Sequence, residues 1–141
     1  MAEIVSIVYK PEEWPDEPSG RYLRVPLQTA RLIAGQGIEG DAKGGHPRRN
    51  LNIMSAETLA QLATEGFTVE PGRMGEQLIV RGLDVNQMRE GDRIHLGDSA
   101  VVEVTLARTG CERFEAYQGR HPSLAAGRLG VMARVVSDGT I

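Results

Sequence analysis

Eight short segments with β character, each followed by a turn signal, run through this sequence. Glycine supports those turns, because the chain has 17 glycines in 141 residues, against an average usage of roughly 7%. Closely spaced short strands joined by short turns are typical of a closed or nearly closed β-barrel. We therefore predict a mostly β, barrel-like fold with one or two short helices. The predicted strands cover residues 4–9, 22–27, 31–34, 50–54, 77–81, 93–96, 100–107 and 131–136.

Residue patterns indicate how three of these strands are arranged. Apolar residues alternate with asparagines along residues 50–53, which places one face of that strand on a core. Residues 93–104 form the clearest predicted hairpin, because Gly97 can adopt the positive φ of a tight turn.

The first helix is predicted to follow Ser55, which can cap it, and to end at Gly66. Glu57 lies in its first turn, where the helix dipole favours an anion. A second, shorter helix is predicted at residues 112–117, and residues 10–20, which are rich in proline and acids, are predicted to form an exposed loop.

Length and composition limit the class of protein. A chain of 141 residues fits one domain, residues 1–141. The net charge of -3 argues against a nucleic-acid binder, and no apolar run is long enough for a membrane helix. A single cysteine excludes an intrachain disulfide and is typical of a reducing compartment, so with no signal peptide we expect a cytoplasmic protein.

The segment 35–49 is the first candidate for a binding site. Residues 35–40 match the dinucleotide fingerprint, but two glycines and a proline stand where the required helix should begin. The segment is better interpreted as a glycine-rich loop in which Lys43, His46 and Arg49 could cradle an anion. A long surface loop whose glycines only serve turns is the alternative. Arginine provides all but two of the 16 cations in the chain, which permits an anionic ligand.

Cys111 is the only candidate for sulfur chemistry. It lies between a predicted strand and a predicted helix, where Arg108, Arg113 and the helix N-terminus would favour the reactive thiolate and Glu112 would oppose it. The alternative is a small buried hydrophobic residue. The three histidines are far apart in the sequence, so a zinc site built by the protein is not expected.

Seven motifs follow one another between residues 35 and 136, and in this order they resemble the MOSC domain, named for the C-terminal part of molybdenum cofactor sulfurases. Two positions depart from the usual family pattern: Gln77 stands in place of Asn, and Gly110 in place of the Pro before the cysteine. The motifs are Gly37-Ile38-Glu39-Gly40-Asp41, then Arg49, then Ser55-Ala56-Glu57-Thr58-Leu59, then Pro71-Gly72-Arg73-Met74-Gly75-Glu76-Gln77, then Gly82-Leu83-Asp84, then Gly91-Asp92 with Gly97, and Arg108-Thr109-Gly110-Cys111.

The resemblance implies a β-barrel of the MOSC type whose cysteine lies in a pocket lined by the glycine-rich loop and the Gly-Glu turn. It implies a sulfur carrier that holds a cysteine persulfide, or a protein that binds molybdenum cofactor with Cys111 at the metal. Cys111 and Arg108 are then the predicted catalytic residues. The predicted cofactor-binding residues are Gly40, Asp41, Lys43, His46, Arg49, Gly75 and Glu76, of which Asp41 and Glu76 would mainly fix the loops.

The same resemblance implies partners, while the residues of the loop 35–49 leave a binding module open as an alternative. A cysteine desulfurase, a molybdoenzyme or an electron-donor protein is the expected partner, and pyridoxal phosphate is not expected on a chain too short to hold a desulfurase domain. A non-catalytic module that binds an anionic small molecule or a partner protein is one alternative. The other is a molybdenum-dependent reductase of N-hydroxylated compounds.

Overall fold

The computed structural model describes residues 2–14 and 21–141, so residues 15–20 of the predicted exposed loop lie outside the described residues. The described chain is mostly β, with two α-helices, α1 (Ala56–Thr64) and α2 (Glu112–Gln118), and 3₁₀ turns at Val85–Gln87 and Pro122–Ala125. The strands are β1 (Glu3–Tyr9), β2 (Val25–Leu27), β3 (Arg31–Ile33), β4 (Gly37–Ile38), β5 (Leu51–Ser55), β6 (Leu78–Arg81), β7 (Arg93–Leu96), β8 (Ala100–Ala107), β9 (Val131–Ser137) and β10 (Gly139–Thr140).

Seven strands form one mixed sheet in the order β2-β1-β6-β5-β9-β8-β7. Helix α1 connects β5 to β6, and this crossover makes them a parallel pair, with Met54 opposite Ile79. A second sheet has the order β10-β3-β4. Within the described residues the edge strands β2 and β7 do not pair, so hydrogen bonds do not close the sheet into a ring.

Apolar side chains fill two layers. One cluster packs between the two sheets and is almost entirely aliphatic, with Leu32 and Ile38 from the small sheet against Leu51, Ile53 and Val102. The other lies beneath the two helices and includes Phe67, Phe114 and Leu129. Because β5 runs between these layers, both of its faces are buried.

This position of β5 corrects the expectation from its alternating pattern. Asn50 and Asn52 are as buried as the apolar residues between them. A central strand can bury amides when every polar atom finds a partner, and the amides of β5 do so through the loops described below.

The predicted helices and hairpin are confirmed, but the cap of α1 is not. Ser55 stands at the N-cap position, yet its hydroxyl donates to the Leu83 carbonyl oxygen and accepts from Val85 N–H at 3.0 Å. It therefore ties α1 to the following 3₁₀ turn. Gly97 has a φ of 63° in the β7–β8 hairpin, as predicted.

Candidate functional site

A cleft of about 440 Å³ opens where the loop before β5, the turn before β6 and the end of β8 meet. The ionisable side chains that line it, apart from a tyrosine and a cysteine, are all basic, and no Asp or Glu of the described residues lines it. Cys111 also lines the cleft, and its side chain is exposed. An anionic ligand would therefore meet cations and a thiol in one place. The basic residues of the lining are Arg24, Lys43, His46, Arg49, Arg108 and Arg113.

Asp41 fixes the glycine-rich loop from beneath. Its carboxylate is buried, and Oδ1 accepts the backbone N–H groups of Lys10 and Lys43, each at 3.1 Å. Oδ2 accepts from the side-chain amide of Gln77 at 3.3 Å. A carboxylate saturated in this way holds the backbone that carries Lys43 and contributes no surface to the cleft.

Asn50 holds both ends of the same loop. Its side-chain nitrogen donates to the carbonyl oxygens of Gly35, at 3.3 Å, and His46, at 2.8 Å. Its side-chain oxygen accepts from Val135 N–H on β9 at 2.9 Å. The segment with Lys43, His46 and Arg49 is thus anchored to the central strands by a buried amide.

Arg108 reaches the cleft from the end of β8. Its Nη1 donates to Asn52 Oδ1 at 2.9 Å, and its guanidinium lies 5.6 Å from the centre of the Phe114 ring. Burial lowers the pKa of this guanidinium, while interactions with Tyr22, Glu76 and Cys111 oppose that shift. Arg108 is thus a buried cation that Asn52 and the Phe114 ring hold at the wall of the cleft.

A line of buried hydrogen bonds joins Asp41 to Arg108. Gln77 donates to Asp41 with Nε2 and accepts the backbone N–H of Asn52 with Oε1 at 2.7 Å. Asn52 then accepts from Arg108 and donates to the Val131 carbonyl oxygen at 3.0 Å. Gln77, one of the two positions that depart from the motif pattern the sequence resembles, therefore links the two sides of the cleft floor.

Glu76 shapes the turn on the opposite wall. It is 1% exposed, and its two oxygens accept the backbone N–H groups of Gly72, at 2.7 Å, and Met74, at 3.2 Å. Burial raises the pKa of its carboxyl, and the hydrogen bonds and the charge of Arg108 oppose the shift. Next to it, Gly75 lines the cleft, where a Cβ would stand 3.0 Å from the Tyr22 ring and 3.1 Å from Arg108.

Cys111 occupies the residue before α2, in extended backbone conformation. The preceding Gly110 is required by a close approach, because a Cβ there would lie 2.2 Å from the Cβ of Pro122. The 3₁₀ turn that begins at Pro122 thus packs directly against the cysteine loop.

The cleft brings together six of the predicted site residues: Lys43, His46, Arg49, Gly75, Arg108 and Cys111. Gly40, Asp41 and Glu76 are not in its lining; Asp41 and Glu76 lie beneath the loops and support them. The catalytic and cofactor-binding roles of all nine residues stay predictions.

Tyr22, Arg24 and Asn52 line the cleft but were not predicted. Tyr22 packs edge-on against Tyr117 with ring centres 4.7 Å apart, and Arg24 lies 5.3 Å from the Tyr22 ring centre. Of these three residues, only Asn52 could have been identified from the sequence, because an amide inside an apolar strand suggests a buried hydrogen bond.

The described residues contain neither a metal-binding cluster nor a membrane-spanning helix. In residues 2–14 and 21–141, no three His, Cys, Asp or Glu side chains are grouped so as to hold a metal ion. No helix in these ranges has the length and apolar character needed to cross a bilayer.

Comparison with known proteins gives a family and a fold. The model of the MOSC domain matches residues 41–141. No curated protein sequence matches the chain significantly.

Among solved structures, the chain is similar along its whole length to YiiM from Escherichia coli, with 23% identity and a TM-score of 0.70, and spans 65% of that protein. It is similar to YiiM from Geobacillus stearothermophilus with 20% identity and a TM-score of 0.73, spanning 71% of that chain. For the YUAD protein from Bacillus subtilis the identity is 20%, the TM-score 0.66 and the share 93%. At these identities the similarity concerns the fold.

Proposed function

The chain belongs to the MOSC domain family, and from this we propose that it carries sulfur on Cys111 as a persulfide or binds molybdenum cofactor with that thiolate at the metal. The main support is an exposed thiol in a cleft whose charged lining is entirely basic among the described residues. A thiolate, a persulfide anion and a phosphate are all stabilised by such surroundings.

The sulfur-transfer step needs a donor persulfide, R–S–SH, such as that formed on a cysteine desulfurase. The Cys111 thiolate attacks the outer sulfur of the donor, a new S–S bond forms, and the S–S bond of the donor breaks. The donor leaves as the thiolate R–S⁻ with the electron pair, and Cys111 becomes Cys–S–SH. No external oxidant is consumed, because sulfur moves at the same oxidation level.

Arg108 is the residue we expect to assist this step. Asn52 fixes its guanidinium at 2.9 Å, and Arg108 and Cys111 line the same cleft. A cation that is held in place before the reaction stabilises the attacking thiolate without having to reorganise.

The residues of the cleft also fit molybdenum cofactor. A thiolate is a soft ligand that suits such a metal, and Lys43, His46 and Arg49 would hold the phosphate end of the pterin. Gly75 lets the Tyr22 ring and Arg108 pack closely on the cleft wall, because a Cβ there would lie 3.0 Å from that ring and 3.1 Å from Arg108. When bound, the cofactor would supply redox chemistry at the metal, and reduction of N-hydroxylated compounds would then need an electron-donor protein.

Intact-mass spectrometry under non-reducing conditions tests the sulfur-carrier proposal. After incubation with a cysteine desulfurase and cysteine, the protein should gain one sulfur atom that a thiol reductant removes, and Cys111→Ser should gain none. Arg108→Gln should load about tenfold more slowly, equivalent to roughly 1.4 kcal/mol in the barrier. Arg89→Gln removes an exposed arginine outside the cleft and is the matched control.

Pterin fluorescence and metal analysis of protein purified from a cofactor-producing host test the other form of the proposal. A wild-type protein that neither gains sulfur nor retains the pterin would show the proposal to be wrong. In that case the basic cleft favours a non-catalytic module for an anionic ligand, and Cys111 would then be alkylated no faster than a free peptide thiol.

A further inference from the structure

A second groove, of about 380 Å³, lies beside the cleft that contains Cys111, here called the cysteine cleft, and shares Tyr22 and Arg24 with it. One side is formed by the turn that ends at Trp14 and the other by the start of the turn that Glu76 holds. Its volume lies within the roughly 300–1,000 Å³ of small-molecule pockets. The groove does not include Cys111, so the function proposed above leaves it unexplained.

Trp14 provides this groove with an aromatic surface. Its side chain is 43% exposed, which is unusual for the largest apolar side chain in the chain. Its backbone is nevertheless anchored, because Trp14 N–H donates to the Pro11 carbonyl oxygen at 3.2 Å and Pro11 pairs with Asp41. An exposed indole at the end of a hydrogen-bonded turn is suited to stack on a planar ring.

Three arginines, Arg21, Arg24 and Arg73, provide the charge of the groove, and no Asp or Glu of residues 2–14 and 21–141 lines it. Arg24 packs against the turn before β6, since a Cβ on Gly72 would lie 2.8 Å from the Cβ of Arg24. Arg73 belongs to that same turn, whose flanking N–H groups are held by Glu76. Guanidinium groups on such supports suit a phosphate, which they bind bidentately.

Apolar surface lies between the aromatic and the basic parts of the groove. It comes from Leu23, Val25, Pro26 and Pro71. A ligand that used the whole lining would have a planar ring, a compact middle part and a negatively charged end. Inorganic phosphate would use only the arginines, and an uncharged base only Trp14.

We propose that this groove is a nucleotide site, in which the base stacks on Trp14, the ribose lies against the apolar residues and the phosphate binds Arg73 and Arg21. The site requires neither Cys111 nor any ligand in the adjacent cleft. Its test is therefore separate from the test of sulfur transfer.

Tryptophan fluorescence measures binding at this site directly, because Trp14 is the only tryptophan in the chain. Titration with GMP or AMP, corrected for absorbance with free tryptophan amide, should quench the emission saturably with a Kd below roughly 1 mM. Guanosine alone and inorganic phosphate alone should each bind at least about tenfold more weakly, since each lacks one of the two contacts.

Variants identify the residues that bind. Arg73→Gln should weaken GMP binding about tenfold, a charged hydrogen bond being worth that factor or more, and Trp14→Leu should weaken it similarly by calorimetry. Arg89→Gln and Cys111→Ser should both bind GMP like wild type. Equal loss in Arg89→Gln, or no saturable signal with either nucleotide, would overturn the proposal. A short single-stranded RNA that binds more than tenfold tighter than GMP would also overturn it, in favour of a nucleic-acid partner.

Discussion

The interior between the two sheets is apolar, whereas the residues beneath the cysteine cleft form a polar layer. The first is aliphatic, with Leu51 and Ile53 completely buried. The second contains buried Asp41, Asn52, Glu76 and Gln77. Aliphatic burial stabilises the fold in proportion to the area removed from water, whereas buried polar groups are costly unless each is hydrogen-bonded. The comparison indicates that the polar layer is kept for positioning, because its bonds end on the loops and on the arginine that face the cleft.

Removing volume from the aliphatic side should have the largest effect on stability. Leu51→Ala is expected to lower the free energy of unfolding by about 2–5 kcal/mol, through lost burial and a residual cavity. Urea denaturation measures this loss. Persulfide formation by the fraction that stays folded should be unchanged, and a stability loss below about 1 kcal/mol would contradict the assignment of Leu51 to a rigid core.

Breaking the polar layer should cost less stability and more function. Asn52→Leu leaves the Arg108 donor and the Val131 carbonyl oxygen without their partner, for a loss of about 1–3 kcal/mol. Sulfur loading should slow about tenfold or more, because Arg108 loses its fixed position. Asn52→Asp keeps an acceptor for Arg108 and should restore most of the loading rate. If Asn52→Leu loads sulfur at the wild-type rate, this layer does not position Arg108.

The smallest expected effect is a pH dependence due to Glu76. Because burial raises the pKa of Glu76 above 4.5, its value in the unfolded chain, the folded protein binds this proton more tightly. The stability from this group is complete below pH 4.5 and is lost as the pH rises through the folded pKa. The free energy of unfolding of wild type, minus that of Glu76→Gln, should therefore fall as the pH rises from 4.5 to neutrality. A difference that grows with pH would mean that the hydrogen bonds from Gly72 and Met74 outweigh the cost of burial.

The sequence predicts the aliphatic region better than the polar one. All eight predicted strands are present, because alternation and turn residues are local properties. The two-residue strands Gly37–Ile38 and Gly139–Thr140 were missed, since two residues show no period. The burial of Asn52 depends on Gln77, Arg108 and β9, which are distant in sequence, and no local pattern contains that information.

Only some residues of the cleft were identified from the sequence, by residue type and by the order of the motifs. The cations of the glycine-rich loop were recognised by type, and the order of seven motifs connected them with Cys111. Asp41 was expected mainly to fix a loop; its Oδ1 accepts two backbone N–H groups, and its role stays a prediction. Tyr22 and Arg24 could not be predicted, because their place in the cleft depends on how the segment before β2 packs on the turn at Gly72.

The close approach of Gly110 to Pro122 couples what the chain can tolerate at these two positions. With the 2.2 Å separation that a Cβ at residue 110 would have from Pro122, any larger residue there forces the Pro122 turn to move. The proline that usually precedes the cysteine in this family therefore conflicts with Pro122, because its Cβ would occupy the same space. It would fit only if the Pro122 turn moved or residue 122 became smaller.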